Sequence, residues 1–538
     1  MVDLHAILHS SFVAFRLIFQ FLKISAPVLT VYGLYRVTRI IYDELTSPIR
    51  HLPGPPNANT FLGNLKDLWT DTCHWHSQYG PMIRLNGFLG FSHLYVTDPQ
   101  ALNHILTNGY VYTKQAFTRR QIGNLWGPGL PFVEGEQHKK QRKILNPAFG
   151  PVRIREFTEC FVKKSKGLQD AWTTECSKQG GTCRLDVMVG LGKVVIDIIS
   201  STGFRYEVDS LDRETDLSRV ATILSQLNLI RWQLRRFIPI LWFIPDPVEA
   251  QLDDIKQTLS RMTNRLLNES KGFVSTNNKN AGSRDLLSLL VRTNMSPDVP
   301  EHRRLSDDEV KAQVISFVIV GRESPINVTA WALFSLAKDR KIQAKLREEL
   351  LTVGTCQPTT DQLNALSYLD LVIRETLRLY PSSKANSRVC AKDDILPLAK
   401  PITDRRGNVL SSISVKRGQV VIIPISAIHK DKSIWGEDAL DFRPERWECL
   451  PEGVKTIPGV WSHLLSFWGG PRSCIGFRFA IAEMKALLFT LVRAFEFDLA
   501  VPAEQVSVES GLSNRPILTT DPGSYQLPLL IKPYKAPS

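Results

Sequence analysis

The 538-residue sequence predicts a mainly α-helical domain with a small β-sheet portion, standing behind an N-terminal membrane anchor. Three observations predict it. Apolar residues recur at helical spacing through the segments near residues 366–380 and 476–495. Strand candidates are short. No Gly/Ser linker, internal repeat or low-complexity tract divides the chain after its apolar start. Length alone would suggest several domains, but the continuous periodic pattern is that of one, and 43% hydrophobic residues can build its core.

The first element is the stretch Leu17 to Tyr35, apolar apart from Lys23 and interrupted by Pro27. Its length as a helix is roughly 28 Å, enough for the hydrocarbon core of a bilayer. Lys23 can snorkel. Arg36, Arg39 and Arg50 follow it while Asp3 precedes, which places the downstream side in the cytoplasm. No basic n-region or small-residue cleavage site marks a removed signal peptide, so residues 1–50 read as a retained anchor with a basic flank, the alternative being an amphipathic helix lying on the membrane. Leu52-Pro53-Gly54-Pro55-Pro56 breaks any helix, making 51–57 a stiff hinge and 58–538 the folded domain.

Past the hinge, Met82–Leu85 and His93–Thr97 read as strands around the turn residues Gly87 and Gly90. Residues 135–149 start a helix on which His138 and Arg142 share a face. The stretch 226–245 is crowded with Ile, Trp and Phe between arginines and reads as core or as a lip dipping into a membrane. Leu366, Leu369, Ile373, Thr376, Leu377 and Tyr380 mark a helix that ends before Pro381. A Val- and Ile-rich segment at 413–425 is strand-like. The helix from Gly476 to about Phe495 is apolar nearly all round, hence buried.

The net charge is +13, but the basic residues are dispersed and no nucleic-acid motif accompanies them. That excludes nucleic acid and suits a face towards an acidic redox partner or anionic lipid. Eight cysteines show neither a C-x-x-C pair nor zinc spacing, so no disulfide framework or zinc site is expected.

One cysteine is different. Cys474 lies in Phe467-Trp468-Gly469-Gly470-Pro471-Arg472-Ser473-Cys474-Ile475-Gly476. Gly470 and Gly476 permit a tight loop in which a thiolate can meet a metal, and Arg472 supplies a cation beside it. Glu375 and Arg378 form E-x-x-R on one helical face, and Phe442-Arg443-Pro444-Glu445-Arg446-Trp447 follows about sixty residues on. This order, with the spacing F-x-x-G-x-R-x-C-x-G, resembles the cytochrome P-450 family from Leu52 to about Leu530, and in particular its membrane-bound fungal microsomal members.

The resemblance implies haem b ligated by Cys474, within a loop that includes Phe467, Arg472 and Gly476. It implies acid-group contacts from Arg142, Arg388 and the position of His138, where the family usually has Trp. It also implies a buried charge network of Glu375, Arg378 and Arg446. On the oxygen side, Val320-Gly321-Arg322-Glu323-Ser324-Pro325 aligns to A-G-x-[DE]-T-T, with Ser and Pro where the family has two threonines. Ser324 keeps a hydroxyl for proton relay, Glu323 keeps the acid, and Pro325 leaves the Gly321 carbonyl without its helical donor in a kinked groove. Phe117, Trp126, Leu130, Phe132, Phe317, Val320 and Leu512 are expected to line a substrate pocket.

The expected reaction inserts one atom of O2 into a C–H bond of a terpenoid or sterol in fungal secondary metabolism. Fatty acids and xenobiotics are the alternative substrates. Electrons would come from NADPH through a separate cytochrome P-450 reductase, with cytochrome b5 as a further partner, at the endoplasmic-reticulum membrane. Two rival readings are an O2-independent isomerase or dehydratase of the same fold, and a non-enzymatic haem protein.

Overall fold

The computed structural model describes residues 27, 30–35, 38–39, 41–59, 61–64, 74–206, 210, 247–276, 285–297, 299–510 and 513–535. Most of the predicted anchor, the 226–245 stretch and Leu512 lie outside them. Residues 30–35 and 41–45 are helical, with Val31, Leu34 and Tyr35 exposed. Among the described residues, the helix long and apolar enough to cross a membrane is Val187–Phe204, and it is mostly buried in the core.

The core is helix on helix. Ser306 and Glu309 form a reciprocal capping box that starts the longest described helix, Asp307–Lys338. It packs on Val187–Phe204, while Phe477–Ala494 packs on Pro151–Lys178. From Ile481 to Val492 every residue of that last helix is buried, as its all-round apolarity predicts. The predicted 366–380 helix runs Ser367–Leu379, and the 135–149 helix runs Gly135–Leu145 before tightening into a 3₁₀ turn at Asn146–Phe149.

The β portion sits to one side. A five-stranded sheet runs in the order Met82–Asn86, Ser92–Val96, Val420–Ile423, Asn386–Cys390 and Tyr112–Thr113. The first two were predicted as strands, and they pair antiparallel, Met82 opposite Val96. The 413–425 segment divides at Gly418. Val409–Val415 pairs with Asp394–Thr403, and Val420–Ile423 joins the main sheet.

One sequence expectation is corrected. Cys176 and Cys183 are joined in a disulfide with Cα atoms 4.7 Å apart. The helix ends at Lys178, and Gly180 and Gly181, at φ +80° and +102°, turn the chain back into the strand Cys183–Asp186. A spacing of seven carries no sequence signature, so the pairing becomes visible only through that turn.

Candidate active site

The Cys474 loop is held by glycine and by backbone hydrogen bonds. Gly470 has φ +63°, and a Cβ there would lie 2.0 Å from the Leu106 carbonyl oxygen, so no other residue fits. The Cys474 N–H donates to the Phe467 carbonyl at 2.9 Å, and Ser473 N–H donates to Gly470 at 3.1 Å. Trp468 carries a positive φ of 61° without being glycine, the kind of strained backbone that clusters at functional sites. Gly476 is different: its φ is −92°, and a Cβ would meet only Phe149, at 3.6 Å. It lines the same cavity as Cys474, so the room it leaves belongs to whatever fills that cavity.

Cys474 is open to the cavity while protein surrounds it. Burial pushes its thiol up from the usual range, opposed by the Gly476 N–H and the charge of Arg142.

Behind the loop, Glu375, Arg378 and Arg446 are brought together as predicted. Glu375 accepts from Arg378 Nε at 2.9 Å and Nη2 at 2.8 Å, from Arg446 Nε at 2.8 Å, from Arg443 N–H at 2.9 Å and from Trp447 Nε1 at 3.0 Å. Glu375 and Arg378 are 0% exposed and Arg446 3%, so these bonds replace water completely. Arg378 also donates to the His429 carbonyl at 2.8 Å, and the imidazole Nε2 of His429 accepts from Leu465 N–H at 2.9 Å. The network thus reaches the 3₁₀ turn that carries Phe467.

The cavity encloses about 1000 Å³ of empty space, its mouth included, and its walls are almost wholly apolar. Gly321, Ser324 and Pro325 line it together with Cys474, Phe467, Leu130, Phe317 and Val320. The long helix continues through Pro325; proline has no N–H to offer the Gly321 carbonyl. Sequence reasoning missed Phe149, Ile199, Thr202, Gln313 and Ser316, which also line the cavity. The three-and-four spacing from Gln313 through Ser316, Phe317, Val320 and Gly321 to Ser324 was the available signal.

Other expected residues fall elsewhere. Glu323 is not on the cavity wall. Its carboxylate is held by Arg515 and by Arg322 Nη1 at 3.2 Å. Asn327 and Trp331, one and two turns on, bond to Ser513 and to the Asn514 carbonyl, so residues 513–515 stitch one face of the helix. Trp126 and Phe132 do not line the cavity either. Leu130 N–H donates to Gln313 at 3.1 Å, pressing Leu130 and Pro131 inward, while the Phe132 ring closes on Gly123. Phe117 lies on the helix Ala116–Trp126, with its side chain outside the described residues.

At the edge of the loop, basic groups converge. Arg142 donates to the Ser473 carbonyl at 2.6 Å, and Arg472 donates to the Val133 carbonyl at 3.1 Å and to Glu134. The Arg388 guanidinium stacks 4.5 Å from the Trp468 ring. Burial pushes Arg388 and Arg472 down to about 10. It pushes Lys114 down to about 7, helped by the charges of Arg388, Arg472 and Arg119. Among the described residues the Arg119 Nε–H is buried with no partner.

The model of the cytochrome P-450 family matches residues 53–528. The chain belongs to that family. It is 44% identical to cytochrome P-450 monooxygenase 205 of Postia placenta, over 93% of this chain and 96% of that one. It is 34% identical to the cytochrome P-450 monooxygenase claP of Ampulloclitocybe clavipes, over 87% and 89%, and 32% identical to a ganoderic acid synthetase of Ganoderma lucidum, over 84% and 88%. The protein is therefore a P-450 monooxygenase with a haem cofactor.

The residues present fit a haem. A P-450 needs a thiol open to a flat apolar slot, and Cys474 and Gly476 supply it. It also needs cations for two propionates, and the basic cluster holds more cations than acids, Glu134 being the acid bonded within it.

Proposed function

We propose that Cys474 ligates the haem and that the chain oxidises an unactivated C–H bond of a terpenoid or sterol in fungal secondary metabolism, with electrons from NADPH through a separate reductase. One observation carries this: a nearly apolar cavity holds the Cys474 thiol together with Gly321, Ser324 and Pro325. With thiolate ligation the haem supplies O2 activation, one oxygen atom entering substrate and the other leaving as water.

The protein's own part is positional. The apolar wall takes a lipophilic molecule and excludes bulk water. Ser324 presents a hydroxyl that holds a water and passes protons into the cavity. Glu323, fixed by two arginines, stands one residue away as the acid behind it. Arg388, with Arg142 and His138, contacts the propionates, while Arg472 holds the loop through the Val133 carbonyl and Glu134. Residues 1–50 anchor the protein to the endoplasmic reticulum, 51–57 form the hinge, and cytochrome b5 is an accessory donor. The ganoderic acid synthetase among the relatives supports a biosynthetic role.

The test is co-expression with a fungal reductase and untargeted analysis of products from a panel of lipophilic compounds, with hydrogen peroxide measured alongside. Oxygenated product from a terpenoid or sterol is expected. Ser324→Ala should divert NADPH to peroxide, since losing a general acid–base group costs about 10²–10⁴ in rate. Unchanged product per NADPH in Ser324→Ala would remove the hydroxyl from proton delivery.

A further inference from the structure

Val320, Gly321, Ser324 and Pro325 line the cavity, while Arg322 and Glu323 between them do not. Successive residues of a helix leave it about 100° apart, so Glu323 does not face Ser324 by helical geometry alone. What turns its carboxylate decides whether water between them can join acid to hydroxyl.

Two guanidinium groups hold that carboxylate, Arg322 Nη1 on Oε1 at 3.2 Å and Arg515 on Oε2. They are not equivalent. Arg322 is the preceding residue, and neighbours in sequence do not face each other on a helix. Among the described residues its Nε–H is buried with no partner. Arg515 instead reaches the acid from the strand Asn514–Leu518, and it is fixed on several sides. Its guanidinium lies 4.3 Å from the centre of the Tyr525 ring, and its main chain pairs with Glu509 on the neighbouring strand. Asn514, just before it, donates from N–H to the Ser382 carbonyl at 2.8 Å and from Nδ2 to the Pro381 carbonyl at 2.6 Å. The Arg515 side chain is 5% exposed, so salt and water screen the ion pair weakly. Glu323 stays 13% exposed, an edge open to water. The strand, not the helix, sets the direction of the acid.

We propose that Arg515 is a positioning residue for proton delivery. It fixes the Glu323 carboxylate beside Ser324, so that protons taken up at the acid's open edge reach the hydroxyl through water. This rests on the reading of Glu323 and Ser324 given above. The experiment uses full-length holoprotein with a fungal P-450 reductase and no added substrate, and follows NADPH, O2 and hydrogen peroxide. Release of peroxide consumes one NADPH for each O2. Carrying O2 through to two waters consumes two, and needs a proton delivered in time to the outer oxygen. Haem content and the carbon-monoxide spectrum are recorded first, with Arg515→Gln used if Arg515→Met does not load haem. Arg515→Met should lower NADPH per O2 from the parental value towards one. Arg515→Lys, which keeps the charge, should recover part of the loss. In a Glu323→Gln background Arg515→Met should change nothing further, because the arginine acts through the acid. A parental ratio in the neutral Arg515 variant would overturn the proposal, as would an undiminished further fall in the Glu323→Gln background, the mark of a structural role. A parental ratio in Glu323→Gln alone would instead refute the acid itself, and the positioning role with it.

Discussion

Glu375 is where a single residue carries the most. Its two oxygens accept five hydrogen bonds, four of them from side chains of Arg378, Arg446 and Trp447, in a place that water does not reach. Glu375→Ala leaves two buried guanidinium groups without their shared carboxylate, and breaking such a pair costs about 3–5 kcal/mol. That is a large fraction of a domain's stability. Expression of the variant should give little haem-loaded protein, whereas normal yield and haem content would show that the network is dispensable. The acid and its arginines were legible in the sequence because each lies in a short motif whose spacing encodes its face or loop. Arg515 was not. Its partner Glu323 is 192 positions away, and only the stitching of residues 513–515 to the long helix brings them close. Trp126 and Phe132 were misplaced for a related reason: their apolarity was visible, but not which way the loop turned.

At the scale of elements, the short helix Ile425–His429 couples the Glu375 helix to the Cys474 loop. His429 is buried, and burial with the charge of Arg378 lowers its imidazole to about 3. The unfolded chain, with an ordinary histidine pKa of about 6.5, binds the proton first as pH falls. The stability gained by keeping His429 neutral is therefore fully present above about pH 6.5 and is lost progressively towards pH 3, at up to about 1.4 kcal/mol per pH unit. His138, lowered to about 4 by the same burial, adds to the loss. Urea midpoints of the holoprotein should fall from about pH 7 to pH 5, and His429→Gln, which retains an acceptor for Leu465 N–H, should flatten the slope. Equal slopes in both proteins would remove His429 as the source. The helices themselves were the most legible elements, since periodicity alone located Ser367–Leu379 and Phe477–Ala494 to within a residue or two. The disulfide and the division of the 413–425 segment escaped because each depends on a glycine turn that a window of apolar residues cannot register.

For the whole molecule, the helical core, the side sheet and the charge network converge on one loop and one cavity. The central proposal is that Cys474 is the thiolate that meets the haem, supported by the spacing of its loop and by its place on the cavity wall. The red-shifted Soret band of the reduced carbon-monoxide complex reports that bond directly, without a known substrate. Full-length protein in microsomes should show the band, and Cys474→Ser should lose it while the carbon-monoxide complex of any haem retained absorbs at shorter wavelength. A parent protein lacking the band, or a Cys474→Ser variant that keeps it, would contradict ligation by Cys474.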